Sequence, residues 1–177
     1  MRFELKQISA ASIPEALAKV ERYRLLNEPK LAESICLDIL AAAPEDQQAL
    51  IALLLARSDQ FDPQNRNAKG AHEALAQIKG EYERAYYAGI IWERLAHSYI
   101  RHGRHGESSA AYHALRGAME YFEKAAKLSP AGNDDAILRW NTCARVLMEH
   151  PGICPAQDEQ VEDAWVPAEA DSHIPDV

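Results

Sequence analysis

Histidine is the side chain best suited to titrate or bind a metal near neutral pH, and His97, His102, His105 and His113 sit close together in this chain. Their spacings of five, three and eight residues do not give the i, i+4 pair with which one helix face presents two imidazoles to zinc. His102 and His105 flank glycines, which reads as a loop tip and a poor support for fixed ligands. A solvated polar tip is therefore the simpler reading, and a pH-responsive contact the functional one. Cys36, Cys143 and Cys154 are odd in number, far apart and without CxxC spacing, so they point to reduced thiols rather than to a zinc site or a disulfide framework. No thiol has an evident base beside it, and no Gly-rich phosphate loop, nucleophile elbow or HExxH occurs. The chemistry-bearing residues indicate no catalytic centre, and no cofactor or metal is expected.

A second polar constellation runs from Gly132-Asn133-Asp134-Asp135 through Arg139-Trp140-Asn141. Its structural reading is a helix cap followed by a buried Trp with an ion pair. Its functional reading is recognition of a partner or ligand carboxylate, because Arg offers a planar donor fork and Asn both a donor and an acceptor.

The elements that must carry these residues are helical throughout. Ser12, Pro14 and Glu15 mark a helix start with a capping box, giving a first helix to about Leu26. Asn27-Glu28-Pro29 turns the chain into a second helix that stops before Pro44. The third, about Glu45 to Gln60, is apolar around most of its girth, which predicts burial between layers. After a polar, Pro-bearing loop around 61–67 a fourth helix is expected from Ala68 to Lys79. Two long helices follow, about Glu81 to His102 and Glu107 to Ser129, separated by Gly103-Arg104-His105-Gly106. Asn133 can cap a last helix, Asp134 to Glu149, in which Ile137, Leu138, Val146 and Leu147 form the packing face.

Trp92, Leu95, Ala96 and Tyr99, followed by Ala118, Phe122, Ala125 and Pro130, resemble one tetratricopeptide repeat. In that family the first four positions build one helix of a pair and the last four the second. The match is close over 89–130. The first pair, with Tyr23, Ala32, Cys36, Ile39 and Pro44, and the second, with Ala74 and Ile78, are more divergent. The resemblance implies an all-α, right-handed solenoid of about seven helices in antiparallel hairpins, capped by its C-terminal helix, over residues 1–150. All eight signature residues are then core. It also implies a binding scaffold whose ligand groups come from the inner face of the first helix of each pair. The corresponding positions are Glu93, His97 and Arg101, Ile51 and Leu55, and Ile137 and Asn141, with Arg139 added from the polar stretch. Leu17, Glu21, Ile51 and Leu55 stand where relatives that clamp a terminal carboxylate carry Lys, Arg and Asn, so that clamp is not expected.

Charge is unevenly distributed. The net charge is -8, yet residues 1–150 are near -1, because 151–177 hold seven acidic residues and no Lys or Arg. A near-neutral body gives no reason to expect nucleic acid. No signal-like or membrane-spanning apolar run is present, which predicts a cytoplasmic protein with no membrane partner. Four prolines and seven acids in 151–177 predict a disordered tail, in which Trp165 between Val161 and Val166 could anchor on a partner or on the chain's own groove. The expected function is a non-catalytic scaffold or adaptor that binds a helical or extended segment of a protein partner through apolar anchors and a few polar contacts. Two alternatives stand beside it: a small-molecule or metal-binding protein or enzyme using the histidine-rich hairpin or the Arg139 region, and a homodimer covering the apolar third helix.

Overall fold

A computed structural model describes residues 3–62, 68–102 and 107–155, and these are helical, with no strand among them. The order is α1 (Ile13–Leu25), α2 (Pro29–Ala42), α3 (Gln47–Ser58), α4 (Ala68–Leu75), α5 (Glu81–His102), α6 (Glu107–Leu128) and α7 (Asp135–Glu149). The expected loop 63–67, the hairpin tip 103–106 and the tail beyond Pro155 lie outside the described residues. No described helix is long and apolar enough to cross a membrane.

Local chemistry sets most boundaries. The capping box expected at Ser12 does not form: a 3-10 turn precedes α1, and the Ser12 hydroxyl donates to the Ser9 carbonyl at 2.7 Å instead. At the other end Asn27 takes a left-handed φ of 59°. Glu28 N–H then reaches back to the Tyr23 carbonyl and Asn27 N–H to that of Arg24, the paired closure that consumes the last free carbonyls of a helix. α3 starts on Asp46, whose carboxylate accepts from Ala49 N–H at 2.9 Å. α4 ends at Leu75, short of the expected Lys79. Ile78 nonetheless remains buried, because its turn is pinned from outside: the Arg84 guanidinium donates to the carbonyls of Ile78 and Lys79 at 2.9 and 2.7 Å. The cap of α7 falls on Asp134, which makes no side-chain cap bond, and not on Asn133 as expected; the Asn133 side-chain oxygen instead accepts from Asp135 N–H at 3.0 Å in the turn before the helix.

Consecutive helices pack on one another from α1 to α7, while α1 also touches α3, and α3 touches α5. Alternate helices therefore run the same way, and α1, α3 and α5 finish at one end of the molecule. α3 is enclosed by α1, α2, α4 and α5, so the chain itself covers most of its apolar girth, with Leu50, Leu53 and Leu54 buried. One core cluster gathers around α3, and a second around Phe122, Leu115 and Ala118 on α6, with Ile90 and Ala96 of α5 and Cys143 of α7. Gly89 makes the α5–α6 contact possible, since a Cβ there would lie 2.5 Å from the Phe122 ring. Of the eight signature residues Ala96, Ala118, Phe122 and Ala125 are buried, and Trp92, Leu95 and Tyr99 are half-buried against the clusters. Pro130 departs from the expectation: it is exposed in the turn before α7.

Candidate functional site

α1 and α3 end beside the C-terminal third of α5, and this brings polar side chains to one place. Arg24, Asn27 and Pro29, Ser58 and Asp59, and Arg94, His97 and Arg101 line a recess of about 270 Å³. The negative ends of the α1 and α3 dipoles lie here, which favours cations near those turns. The charges are unequal, with three guanidiniums facing one carboxylate. Asp59 is shared: Arg24 Nε donates to it at 2.8 Å, and Arg94 reaches its other oxygen. Arg94 also donates to the Leu55 carbonyl at 3.4 Å. Arg101 has no ion pair or hydrogen bond among the described residues and is exposed. Glu21, exposed on α1, acts on Arg24 from outside the recess.

Burial is the first influence on the charges of the recess, and neighbouring charges act second. Burial pushes the Arg94 guanidinium down to about 10, with the positive charges of Arg24 and Arg139 adding to the effect, yet it stays charged at neutral pH. Burial likewise lowers His97, opposed by Glu93 and reinforced by Arg101, Arg139 and Arg94. Beside the recess Glu93 is only 3 % exposed and is held by Arg139 Nη1 at 3.1 and 3.3 Å. Burial disfavours the Arg139 charge, but Glu93 and the Tyr86 hydroxyl together raise its pKa above the ordinary value.

The structure thus separates the residues singled out in the sequence. His97 and Arg101 line the recess. Glu93 and Arg139 are brought together as an ion pair that ties α5 to α7. Leu55 joins the two core clusters and Ile51 packs on the first, both half-buried. Asn141 is half-buried and Ile137 exposed on α7. Trp140 donates its indole N–H to Glu123 at 3.0 Å. Arg24, Asp59 and Arg94 were missed. The available signal was the recurrence of Arg near the ends of alternate helices, but periodicity within one helix does not show which ends meet.

A larger cavity of about 550 Å³ opens elsewhere, between α4, α5 and α6, because eight-residue α4 leaves much of the 22-residue α6 uncovered. Its floor is Leu75, Ala76, Ala85, Ala88 and Leu128, with Lys124 and Lys127 at the margin. Arg84, which also lines it, is committed to the turn after α4, while His72, Glu81 and Tyr121 complete its polar lining. Among the described residues no group of three His, Cys, Asp or Glu side chains is arranged to hold a metal ion. Burial pushes the thiols of Cys36 and Cys143 up to about 12, far from nucleophilic thiolates at neutral pH. No family model matches the chain, and neither a curated protein nor a solved structure matches it.

Proposed function

We propose that the chain is a non-catalytic interaction scaffold: a right-handed stack of tetratricopeptide-like helical hairpins, capped by α7. It takes a helical or extended segment of a protein partner on the face shared by α1, α3, α5 and α7. The observation that carries this reading is the sharing of Asp59 between Arg24 and Arg94, with Arg101 and His97 beside them. A partner carboxylate entering the recess supplies the missing negative charge, in a partly desolvated site where charge-assisted hydrogen bonds are strongest. Half-buried Ile51 and Leu55 add apolar surface, and the Glu93–Arg139 pair fixes the wall between α5 and α7. Free thiols and the absence of a membrane-spanning helix among the described residues are compatible with a cytoplasmic setting.

Affinity purification from the native cell, followed by mass spectrometry, tests the reading with the full chain and its Arg101→Glu variant. Arg101 is exposed, so charge reversal leaves the core intact. Partners recovered by the natural chain and lost by the variant support the recess as the docking site; the same partners in undiminished amount with both overturn it.

A further inference from the structure

We infer that the chain's own acidic segment, residues 156–177, folds back and places carboxylates in the arginine recess, occupying the site in competition with a partner. This rests on the recess being an anion-docking site and goes beyond it by naming the first occupant. Three observations carry it.

The first is charge complementarity. All seven acidic residues of 151–177 lie between Asp158 and Asp176 with no Lys or Arg among them, while the recess holds three guanidiniums against one carboxylate.

The second is where the described chain ends. After α7 the backbone turns, Ile153 packs on the second core cluster, and the Ser108 hydroxyl donates to the Gly152 carbonyl. α5 ends at His102 and α6 begins at Glu107, so in this antiparallel pair Ser108 is level with Arg101. The chain is therefore released at the same end of the molecule as the recess, about one helix diameter from Arg101, since packed helix axes lie roughly 8–10 Å apart.

The third is length. Asp158 and Glu159 follow Cys154 by four and five residues, a reach of about 13–17 Å at ~3.3 Å per residue. The first acidic pair can arrive at Arg101 and His97 without spanning the molecule. The larger cavity fits less well, because Glu81 and Leu128, which border it, lie at the opposite end of the same two helices.

A tethered segment competes at an effective concentration on the order of 1 mM for a short linker. With an intrinsic cis dissociation constant of about 0.5 mM it would weaken partner binding roughly threefold. Adding negative charge to the segment would tighten the block and adding positive charge would release it, strongly so at low salt.

Paramagnetic relaxation in the full chain tests this. A nitroxide is placed at Ser172→Cys with Cys154→Ser. Cys36 and Cys143 are buried thiols pushed up to about 12 and escape labelling. Broadening of the backbone amides of residues 94–101 and 24–27 in ~50 mM salt, collapsing in ~500 mM, is the expected result. Uniform weak broadening, or broadening confined to residues 121–128 at the larger cavity, overturns the proposal. A parallel titration with acetylated hexaglutamate amide separates the two levels of the argument. Shifts at 94–101 without tail broadening reject the cis contact and keep the recess as an anion site; no shifts and no broadening reject both. Where the tail is docked, neutralising it with Asp158→Asn, Glu159→Gln, Glu162→Gln and Asp163→Asn should tighten hexaglutamate binding about threefold, and unchanged affinity overturns the competition.

Discussion

Two arginine–carboxylate sites lie at the end of α3, and they differ in how completely their charges are matched. Arg57 meets Glu33 of α2 at 2.8 Å, Gln60 donates to the same carboxylate at 2.9 Å, and a second Arg57 nitrogen donates to the Gly70 carbonyl at 2.8 Å. One cation, one anion and their auxiliary hydrogen bonds close a structural joint between α2, α3 and α4. Two residues later Asp59 faces the other way and serves both Arg24 and Arg94. The same side-chain chemistry there leaves positive charge directed into a recess. A matched pair is complete in itself, whereas an unmatched one has affinity left for an anion from outside, so the ratio of charges rather than the presence of an ion pair separates joint from site.

Single substitutions should expose that difference as an asymmetry. Asp59→Ala strands two guanidiniums that are each about a quarter exposed or less and should cost about 3 kcal/mol, the low end for removing one partner of a buried pair. Arg94→Met, which keeps volume and leaves Asp59 with Arg24, should cost clearly less in the same urea-unfolding measurement. It should also recover part of the loss when combined with Asp59→Ala. Equal costs for the two single variants would show that the recess holds no excess charge. At the matched site the expectation is symmetry: Glu33→Gln and Arg57→Met should each cost roughly 1–2 kcal/mol and leave hexaglutamate binding unchanged. Smaller still in stability, but larger in binding, is Arg101→Ser. The midpoint of unfolding should move by no more than the ~0.5 kcal/mol typical of surface changes, while hexaglutamate affinity falls several-fold. Retained affinity would move the anion away from α5.

The sequence made individual helices easier to read than their meetings. The Gly103-Arg104-His105-Gly106 stretch separates the two long helices in the sequence, and both α5 and α6 appear within a residue of the expected limits. The spacing predicts α4 as far as Lys79 because Ile78 continues the apolar period after the helix has ended, held by a guanidinium six residues further along. The type and spacing of Ser12 predict a cap, but a 3-10 turn before it directs its hydroxyl to the Ser9 carbonyl. Within the candidate site, His97 and Arg101 were legible as one face of one helix. Arg24 and Asp59 were not, since their partnership spans 35 residues and exists only because alternate helices end together. Glu93 and Arg139, both expected on the ligand face, are each other's partner; the ion pair expected in the structural reading of the Arg139 stretch reaches back to α5.

The smallest effect concerns protons. His97 is held below its ordinary pKa of 6.5 by burial first, against the pull of Glu93, and then by the positive charges of Arg101, Arg139 and Arg94. Between that lowered value and 6.5 the unfolded chain binds more protons than the folded one, so stability should rise with pH through this window and fall as the medium is acidified below 6.5. Unfolding measured on both sides of the window should show this contribution in the natural chain and lose it in His97→Gln. The unmatched site adds a second readout that the matched one lacks. An anion in the recess offsets the guanidiniums around the imidazole, so hexaglutamate should raise the His97 pKa in an NMR titration. Neutralising the acidic segment should lower it, because the carboxylates placed in the recess are then gone. A His97 pKa indifferent to both would mean that the charge left over at Asp59 is met by solvent alone.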